Sequence, residues 1–419
     1  MNLFQFLSEG FLMAVGAIRS NRLRSLLTML GVATGIFAIT GILTMVNSLQ
    51  RSVTDNLSAL GNTTMFVHHW PWAENGNEWY KFVNRPKVSY KDYQKLKQNL
   101  GRVKGVAYTV TFDNQTIKAQ GRSVSNTQLV GFTHDAGLVS SMEFTEGRYF
   151  SEVESHLGSP VCLIGSAVSK NLFPDGQPIG QFLTVSGKRM QVIGVLVKKG
   201  VAIFGPSDDD RVYVPYNMMA NSFNLSNRWI DKVISIKAEN HDDIDWVESE
   251  VVGIIRAARG LRPSAENNFA INKQEMLMNR MGQFFGFLDM GGWIISLFSI
   301  LIGGFSIGNI MYISVRERTN EIGVQKALGA TQPFILYQFV TESVLLCIMG
   351  GLIGLATVFS LGALIQVIMN SMDMPFKVAF AASDILIGLG LSVFIGLVAG
   401  IIPASIAARV DPVVAIRHA

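Results

Sequence analysis

Four long apolar runs stand out in the pattern of hydrophobic and polar residues along the chain. None of them contains Lys or Arg, and each is close to the roughly 20 residues with which an α-helix crosses a hydrocarbon core of about 30 Å. The pattern therefore predicts four transmembrane helices, within Leu26–Val46, Trp293–Ile313, Phe334–Met369 and Ile385–Ile406. The first run is too long, and starts too far from Met1, to be the apolar part of a signal peptide.

A long polar segment, from Leu49 to about Gln283, separates the first two runs and is large enough for an extracytoplasmic domain. Stretches rich in Val, Ile, Thr and aromatic residues predict strands. These stretches are TTMFVHHW, VAYTVTF, QTIKAQ, TQLVGF, SPVCLIG, RMQVIGVL, RVYVPY and KVISIKA. Apolar residues at helical spacing in DDIDWVESEVVGIIRAARG predict a helix. The predicted fold class is a membrane α-helical protein with an α+β extracytoplasmic domain between helices 1 and 2.

The chain is thus expected to divide into residues 1–48, 49–283 and 284–419. The N-terminal stretch LFQFLSEGFLMAVGAI places apolar residues near one helical face, which suits a helix lying in the membrane interface. The alternative is that this stretch simply continues the first span.

Lys and Arg residues in the short flanks predict the orientation, because they resist export across the membrane. Three flanks carry them: Arg19, Arg22 and Arg24; Arg316, Arg318 and Lys326; and Arg409 and Arg417. The short loop on the other side, NSMDMPFK, has only Lys377. Both termini are therefore expected in the cytoplasm, and residues 49–283 outside it.

Composition agrees with a membrane protein, since 49% of the 419 residues are hydrophobic and 16% are charged. The net charge of +4 is mild and comes partly from the predicted cytoplasmic flanks, so nucleic-acid binding is not indicated. Cys162 is expected outside and Cys347 in the third span, so the two cannot pair within one chain.

A charged stretch, SVRERTNEIGVQKALGAT, follows the second apolar run directly. It predicts a short cytoplasmic helix over residues 316–329, with Gly329 at its C-terminal end and Thr331 capping the next helix. Its charges satisfy one another poorly, because Glu317 and Glu321 repel at i, i+4. A partner surface would stabilise such a helix; the alternative is a solvated loop helix that only fixes the topology.

This stretch resembles the cytoplasmic signature of the MacB and FtsX-like permease superfamily of ABC transporters. Further stretches resemble other parts of these permeases in the same order along the chain: GAIRSNRLRSLLTMLGVATGI, GRYFSEVE, PVCLIGSAVSKNLFPDGQPIGQFLTVSGKRMQVIGVLVKKG, DDDRVYVPY, QFVTESVLLCIMGGLIGL and GIIPASIAARVDPVVAIRHA. The resemblance implies a four-span permease of the bacterial inner membrane with a large periplasmic domain. Such permeases work as a dimer of two permease chains on an ATPase pair.

In this superfamily the short cytoplasmic helix is a coupling helix that seats in a groove of the ATPase. The motif match implies charged contacts and two apolar anchors, at Arg316, Glu317, Arg318, Glu321 and Lys326, and at Ile322 and Leu328. The basic tail with Arg409 and Arg417 is expected near the same surface.

The sequence contains no phosphate-binding G-x-x-x-x-G-K-[ST] loop, and its nearest imitation, GGFSIGN, lacks the Lys and lies in a predicted span. No Ser/His/Asp or Cys/His arrangement suggests catalysis. The resemblance therefore implies a non-catalytic permease that binds no cofactor, with ATP and Mg²⁺ used by a separate ATPase subunit.

Two features of the third run allow more than one interpretation. Gly350, Gly351 and Gly354 have the small-residue spacing that permits close helix packing, with a role in the dimer left open. Glu342 is either a functional carboxylate at membrane depth or part of an interfacial elbow helix that never enters the hydrocarbon.

Two polar clusters of the extracytoplasmic segment contain residue types that can bind metal ions. His68 and His69 are adjacent, and adjacent residues on a strand point to opposite faces, which makes them poor joint ligands. The aspartates of SDDD, at 208–210, lack the alternating ligand pattern of a calcium loop. No metal site is expected, and both clusters are interpreted as solvated loop or strand-end residues.

The mechanism implied by the resemblance is mechanotransmission: ATP binding closes the partner ATPase dimer, the coupling helices follow, and the spans carry the movement to the periplasmic domains. The expected function is efflux or secretion of a drug, peptide or similar cargo, with a periplasmic adaptor and a TolC-like outer-membrane channel as further partners. One alternative is a lipoprotein-releasing permease of the LolC/LolE kind. Another is an FtsX-like signalling permease that regulates a periplasmic cell-wall hydrolase.

Overall fold

The computed structural model describes residues 22–58, 61–72, 79–174, 176–200, 207–227, 230–372, 374 and 376–411. The predicted interfacial helix, Arg19 and Arg417 lie outside the described residues. The chain forms two compact units. We call them the helical unit, which holds the described residues of 1–52, 284–372 and 376–419, and the sheet unit, which holds those of 53–283 and 373–375.

The described residues form twelve α-helices and ten strands. The helices are α1 Arg22–Ser58, α2 Tyr80–Val83, α3 Tyr90–Asn99, α4 Ala136–Val139, α5 Glu152–Leu157, α6 Ser166–Leu172, α7 Tyr216–Ser222, α8 Ile244–Ala258, α9 Gln274–Glu317, α10 Thr319–Ala327, α11 Gln332–Ser371 and α12 Ala382–Arg409. The strands are β1 Thr64–His68, β2 Val103–Ala119, β3 Arg122–Phe132, β4 Phe144–Gly147, β5 Val161–Ile164, β6 Phe182–Val185, β7 Lys188–Leu196, β8 Arg211–Pro215, β9 Asp231–Ala238 and β10 Ala270–Lys273.

Four helices, α1, α9, α11 and α12, are long and apolar enough to cross a membrane. Each contains one of the four predicted runs, so the prediction of four spans is confirmed. The helices extend beyond the runs, most of all α9, which is 44 residues long. Its first turns are rich in Gln, Glu, Met and Leu, which are good helix formers although they are not all apolar.

Three glycines of α11 lie where neighbouring helices of the helical unit approach closely. A Cβ atom on Gly350 or Gly354 would lie only 2.9 or 2.7 Å from a backbone carbonyl oxygen of α1. A Cβ atom on Gly351 would overlap the hydroxyl of Ser392 in α12. All three glycines are therefore used for packing within one chain, which leaves them no surface for contact with a second chain.

The sheet unit contains one mixed sheet of ten strands in the order β10-β1-β9-β2-β3-β8-β5-β7-β4, with β6 paired to β2 and β7. The β3–β8 and β5–β7 pairs are parallel. Every predicted strand overlaps one of these strands, and the predicted helix is α8, which confirms the fold class. VAYTVTF and QTIKAQ belong to the same strand, β2, whose register with β3 shifts between Phe112 and Gln115.

The core of the sheet unit is formed by apolar residues from the strands and from α3 and α8. Leu96 of α3, Ile234 of β9 and Val247 of α8 are fully buried in the same cluster. Cys162 of β5 is also fully buried, and both cysteines are free thiols. Burial raises the pKa of the Cys162 thiol far above its usual range, so the thiol stays protonated at neutral pH.

A buried ion pair joins α3 to the C-terminal end of α8 in the sheet unit. Asp92 accepts a hydrogen bond from the backbone N–H of Ser89 in the capping box of α3, and another from Arg259 Nη2 at 2.7 Å. The Arg259 and Asp92 side chains are only 10% and 7% exposed. Loss of one partner would leave the other charge buried without compensation.

We expect Arg259→Met to destabilise the sheet unit by about 3 kcal/mol, because it leaves the Asp92 carboxylate buried without its cation. The matched control is Arg102→Met, since Arg102 pairs with Asp243 but its side chain is 58% exposed, and such pairs contribute at most about 1 kcal/mol. Thermal unfolding of the detergent-purified chain, followed by tryptophan fluorescence, measures both. Equal midpoints for the two variants would contradict the prediction.

Candidate functional site

The charged stretch forms two helices rather than the single predicted helix over 316–329. α9 ends at Glu317, Arg318 lies between the helices with non-helical backbone angles, and α10 begins at Thr319. The Thr319 hydroxyl donates to the carbonyl oxygens of Val315 and Arg316, at 3.0 and 2.8 Å. Such side-chain bonds to the backbone favour a helix break. Arg316 and Glu317 therefore belong to the last turn of α9.

The C-terminal end of α10 has the geometry that the sequence predicts. Gly329 has a φ of +102°, which is costly for any residue with a side chain. Its N–H donates to the carbonyl of Lys326, and the Ala330 N–H donates to that of Gln325, as in a Schellman motif. Thr331 occupies the N-cap position of α11 with extended backbone angles but makes no side-chain capping hydrogen bond, and a proline follows in the first turn. This sharp turn fixes α10 between α9 and α11.

One face of α10 is turned into the helical unit. Ile322 is 2% exposed and belongs to the same buried cluster as Ile335 and Ala404. Lys326 Nζ donates to the carbonyl oxygens of Ala408 and Val410, both at 2.7 Å. These carbonyls lie at the end of α12, where they lack helical partners and carry the negative end of the helix dipole. The expectation that Ile322 and Lys326 present themselves to a partner therefore needs correction.

Arg318 and Glu342 form a second link between the short helix and the helical unit. Arg318 Nη1 lies 3.6 Å from Glu342 Oε2, and the two side chains are 18% and 7% exposed. Glu342 lies inside α11, which is one continuous helix from Gln332, so there is no separate elbow helix at this position. The pair ties the start of α10 to α11, because separating two charges at a buried position is costly.

The opposite face of this region is exposed. It carries Glu317, Glu321, Val324 and Leu328, which we call the outward face, with Arg316 beside them. Leu328 is 84% exposed and Val324 is 45% exposed. Glu321, Val324 and Leu328 have the spacing i, i+3 and i+7, which places them on one side of α10, and the exposed Glu317 lies in the last turn of α9. Val324 belongs to the modest apolar strip of this stretch in the sequence, but it was not among the predicted contact residues.

A cluster of the sheet unit has the geometry of a metal site. One ligand atom each from His68, His69 and Asp231 lies within 4.8 Å of the others. The rings of the two histidines are 4.2 Å apart between centroids. The expectation that they point to opposite faces is wrong, because β1 ends at His68 and alternation does not extend to His69. Burial first, then His68 and Lys87, lower the pKa of His69 to about 4.

The aspartate run at 208–210 is structural rather than solvated. Asp209 is buried and accepts hydrogen bonds from the backbone N–H groups of Lys199 and Gly200, at 3.0 and 2.8 Å. Asp208 accepts from Tyr213 and Arg211, at 2.6 and 2.8 Å. Burial raises the pKa of Asp208, but the bonds from Tyr213 and Lys199 outweigh it and hold the pKa below its usual range. The run ends at the start of β8, as a strand-end position should, but the interpretation as solvated residues is wrong for Asp208 and Asp209, whose carboxylates have specific donors; Asp210 is exposed.

Comparison with known proteins covers both units. Residues 25–254 match the family described as MacB-like periplasmic core domain, and residues 293–412 match the FtsX-like permease C-terminal family. The uncharacterized ABC transporter permease YknZ of Bacillus subtilis is 28% identical, over 98% of this chain and 99% of its own length. The macrolide export ATP-binding/permease protein MacB of Bdellovibrio bacteriovorus is 29% identical, over 99% of this chain and 62% of its own length.

Among solved structures, the chain is similar to the periplasmic region of MacB from Actinobacillus actinomycetemcomitans. The match covers 55% of this chain and 97% of that structure, with 15% identity and a TM-score of 0.44. The chain spans less than two thirds of the MacB relatives that it matches, and nearly all of YknZ.

Proposed function

The chain belongs to the MacB/FtsX-like family of ABC transporter permeases, and we propose that it couples ATP hydrolysis by a separate ATPase subunit to movement of its extracytoplasmic domain. This coupling serves the efflux or secretion of a drug, peptide or similar cargo. The chain itself is the non-catalytic membrane subunit, and α10 is the coupling helix.

The proposal rests on the difference between the two faces of α10: one is packed on the helical unit and the other is exposed. Its inner face is held by an apolar anchor, Ile322, by two hydrogen bonds from Lys326, and by the ion pair of Arg318 with Glu342. These contacts reach α11 and α12, so a force on the outward face has to move those helices too. A helix held only by solvated loops would rotate or bend under the same force.

The outward face has the chemistry of a subunit interface. Burial of the exposed Leu328 side chain in a partner groove contributes about 1.5–3 kcal/mol. Glu321 then requires a basic group at the rim of that groove, which gives orientation and specificity more than affinity. We therefore propose an ATPase groove with an apolar floor and a basic rim as the partner surface.

The remaining parts of the assembly follow from the family. ATP and Mg²⁺ are bound by the ATPase pair, and two permease chains, identical or different, form the membrane part in the bacterial inner membrane with both termini in the cytoplasm. The match to YknZ over 99% of its length, a protein named as a permease, supports a separate ATPase. A periplasmic adaptor and a TolC-like outer-membrane channel stay predictions.

We expect Glu321→Lys to reduce recovery of the ATPase with the chain by at least about tenfold, because it places a like charge against the basic rim at a cost above about 1.4 kcal/mol. The measurement is co-purification from native membranes in mild detergent, with the ATPase quantified by mass spectrometry and by ATP hydrolysis. Membrane insertion should be unchanged, since Glu321 is exposed and outside the packed cluster.

The control is Lys377→Glu, which reverses a charge that is also exposed, in the loop predicted to face the opposite side of the membrane. It should leave ATPase recovery at the level of the unmodified chain. Full recovery with Glu321→Lys, or equal loss with both variants, would remove the support for α10 as the coupling helix.

A further inference from the structure

His68, His69 and Asp231 lie together in the sheet unit, at the end of β1 and the start of β9. His68 Nε2 is 2.8 Å from Asp231 Oδ1, and the His68 and Asp231 side chains are 13% and 46% exposed. Tetrahedral Zn²⁺ with ligand distances near 2.0–2.1 Å requires ligand atoms about 3.4 Å apart. The three atoms, all within 4.8 Å, reach that arrangement by small side-chain rotations.

The second nitrogen of His68 is already provided with partners for either tautomer. Its Nδ1 lies 3.2 Å from the backbone nitrogen of Trp70 and 3.3 Å from the Trp70 carbonyl oxygen. When Nε2 carries the proton and donates to Asp231, Nδ1 accepts from the Trp70 N–H. When the proton moves to Nδ1, it donates to the Trp70 carbonyl and leaves the Nε2 lone pair for a cation. Metal-bound histidines commonly donate to a backbone carbonyl in this way.

The Trp70 carbonyl is itself held in place. Asn272, which is 1% exposed, donates to it from Nδ2 at 2.9 Å and accepts from the Trp72 N–H at 2.8 Å. The buried Asn272 thus fixes the Trp70 carbonyl, and the Trp70 carbonyl in turn orients the His68 ring. Such support for a ligand side chain is a property of metal sites in which geometry is fixed before the cation binds.

His69 adds an observation that a simple hydrogen-bonded pair does not explain. Its Nδ1 is buried and has no hydrogen-bond partner among the described residues. Buried polar atoms in folded proteins nearly always have a partner, and each exception requires a reason. Beside a histidine–aspartate pair, a ring nitrogen without a hydrogen-bond partner is available as a ligand.

We propose that His68, His69 and Asp231 form a binding site for a divalent transition-metal ion, with Zn²⁺ as the expected occupant. Two imidazoles and one carboxylate suit Zn²⁺, Cu²⁺ or Ni²⁺ better than the oxygen-preferring Mg²⁺ or Ca²⁺. Three protein ligands leave one coordination position for water or an external group. Binding requires the tautomer change at His68 and small side-chain rotations, and Asp231 exchanges its hydrogen bond for a metal bond.

The surroundings of the site set its affinity and the kind of fourth ligand. His69 and Trp70 line a cavity of about 860 Å³ whose wall also carries Arg85, Lys87 and Lys232. These cations weaken metal binding relative to a closed structural zinc site, and they favour an anionic group at the open position. We therefore expect a dissociation constant nearer to micromolar than to the values of zinc fingers.

The test is a titration of the full chain, purified in detergent with a histidine-free tag and stripped with a chelator. Zn²⁺ is followed by calorimetry and Co²⁺ by the visible absorption of four-coordinate cobalt. We expect one ion per chain with a dissociation constant below about 10 µM, and Mg²⁺ at millimolar concentration should not compete. Absence of binding up to about 1 mM Zn²⁺ would overturn the proposal.

Three variants locate the site. His69→Ala and Asp231→Asn should each weaken Zn²⁺ binding by about tenfold or more, since each removes one of three ligands. The control is His156→Ala, because the His156 side chain is 71% exposed in α5 and is not part of the cluster. Equal binding by all variants, or equal loss in the control, would overturn the assignment. If His69→Ala fails to fold, Asp231→Asn and the stoichiometry of the unmodified chain decide the question.

Discussion

Gly354→Val is expected to prevent stable packing of the helical unit. A Cβ atom at this position would lie 2.7 Å from the carbonyl oxygen of Ala33 and 3.1 Å from the backbone nitrogen of Phe37, both in α1. Backbone atoms cannot rotate out of the way as a side-chain end can, so α11 and α1 have to separate. Overpacking commonly costs 1–3 kcal/mol, and separation of two helices along their contact places this substitution at about 3 kcal/mol or more.

The measurement is the amount of full-length protein in membranes and its midpoint of thermal unfolding in detergent. Gly390→Val is the matched control, because Gly390 lies in α12 with nothing within 4 Å of a Cβ atom. It adds the same methyl groups to an exposed position of an equally apolar helix. Normal accumulation of Gly354→Val would show that α1 and α11 do not pack through this glycine.

Lys326→Met is expected to leave ATPase docking intact but to abolish most of the ATPase-driven movement. The substitution keeps the length of the side chain but removes both hydrogen bonds to the carbonyls of Ala408 and Val410. Hydrogen bonds from a charged donor contribute about 1.5–3 kcal/mol. The conformation in which α10 is bonded to the end of α12 should therefore become less populated, by a factor on the order of 10 to 100. The outward face is unchanged, so the ATPase should still be recovered with the chain.

Hydrogen–deuterium exchange of residues 61–273, with and without ATP on the purified complex, reads out the coupling. The unmodified chain should show a nucleotide-dependent difference in exchange, and Lys326→Met should lose most of it. Lys377→Met provides the control for removal of an exposed lysine. A full nucleotide response in Lys326→Met would show that the contact with α12 does not transmit the movement. Loss of ATPase recovery in this variant would place Lys326 in the interface instead.

The two coupling-helix variants therefore test two separate functions of α10, docking of the ATPase and transmission of its movement. Glu321→Lys changes a residue that faces outward, and Lys326→Met changes a residue that faces the helical unit, although the two lie only five positions apart. Distinct outcomes, loss of docking and loss of response, are expected because α10 has one face for each task. The same outcome in both variants would mean that the helix acts as a single contact surface.

Sequence patterns by themselves determined the four spans, seven of the ten described strands and the turn after α10. Apolar runs of about 20 residues have one stable solution in a bilayer, so the four spans could be predicted without any tertiary information. Stretches rich in Val, Ile, Thr and aromatic residues predicted all described strands except β4, β6 and β10, and Gly329 with Thr331 marked the turn between α10 and α11, because these signals depend on neighbours in the chain. The apolar runs do not mark the helix ends, since helix formers such as those at the start of α9 continue a helix beyond its apolar run.

Only the tertiary structure decided which side of the charged stretch faces inward. Lys326 meets carbonyls 82 and 84 positions away, and His68 meets Asp231 from 163 positions away, so no local pattern contains these contacts. The roles of Glu342 and Gly354 likewise depend on distant segments: Glu342 pairs with Arg318, and Gly354 packs against the backbone of α1. Local periodicity specifies which residues share a face, but the partner of that face is set by packing between distant segments, and the chemistry of a site depends on that partner.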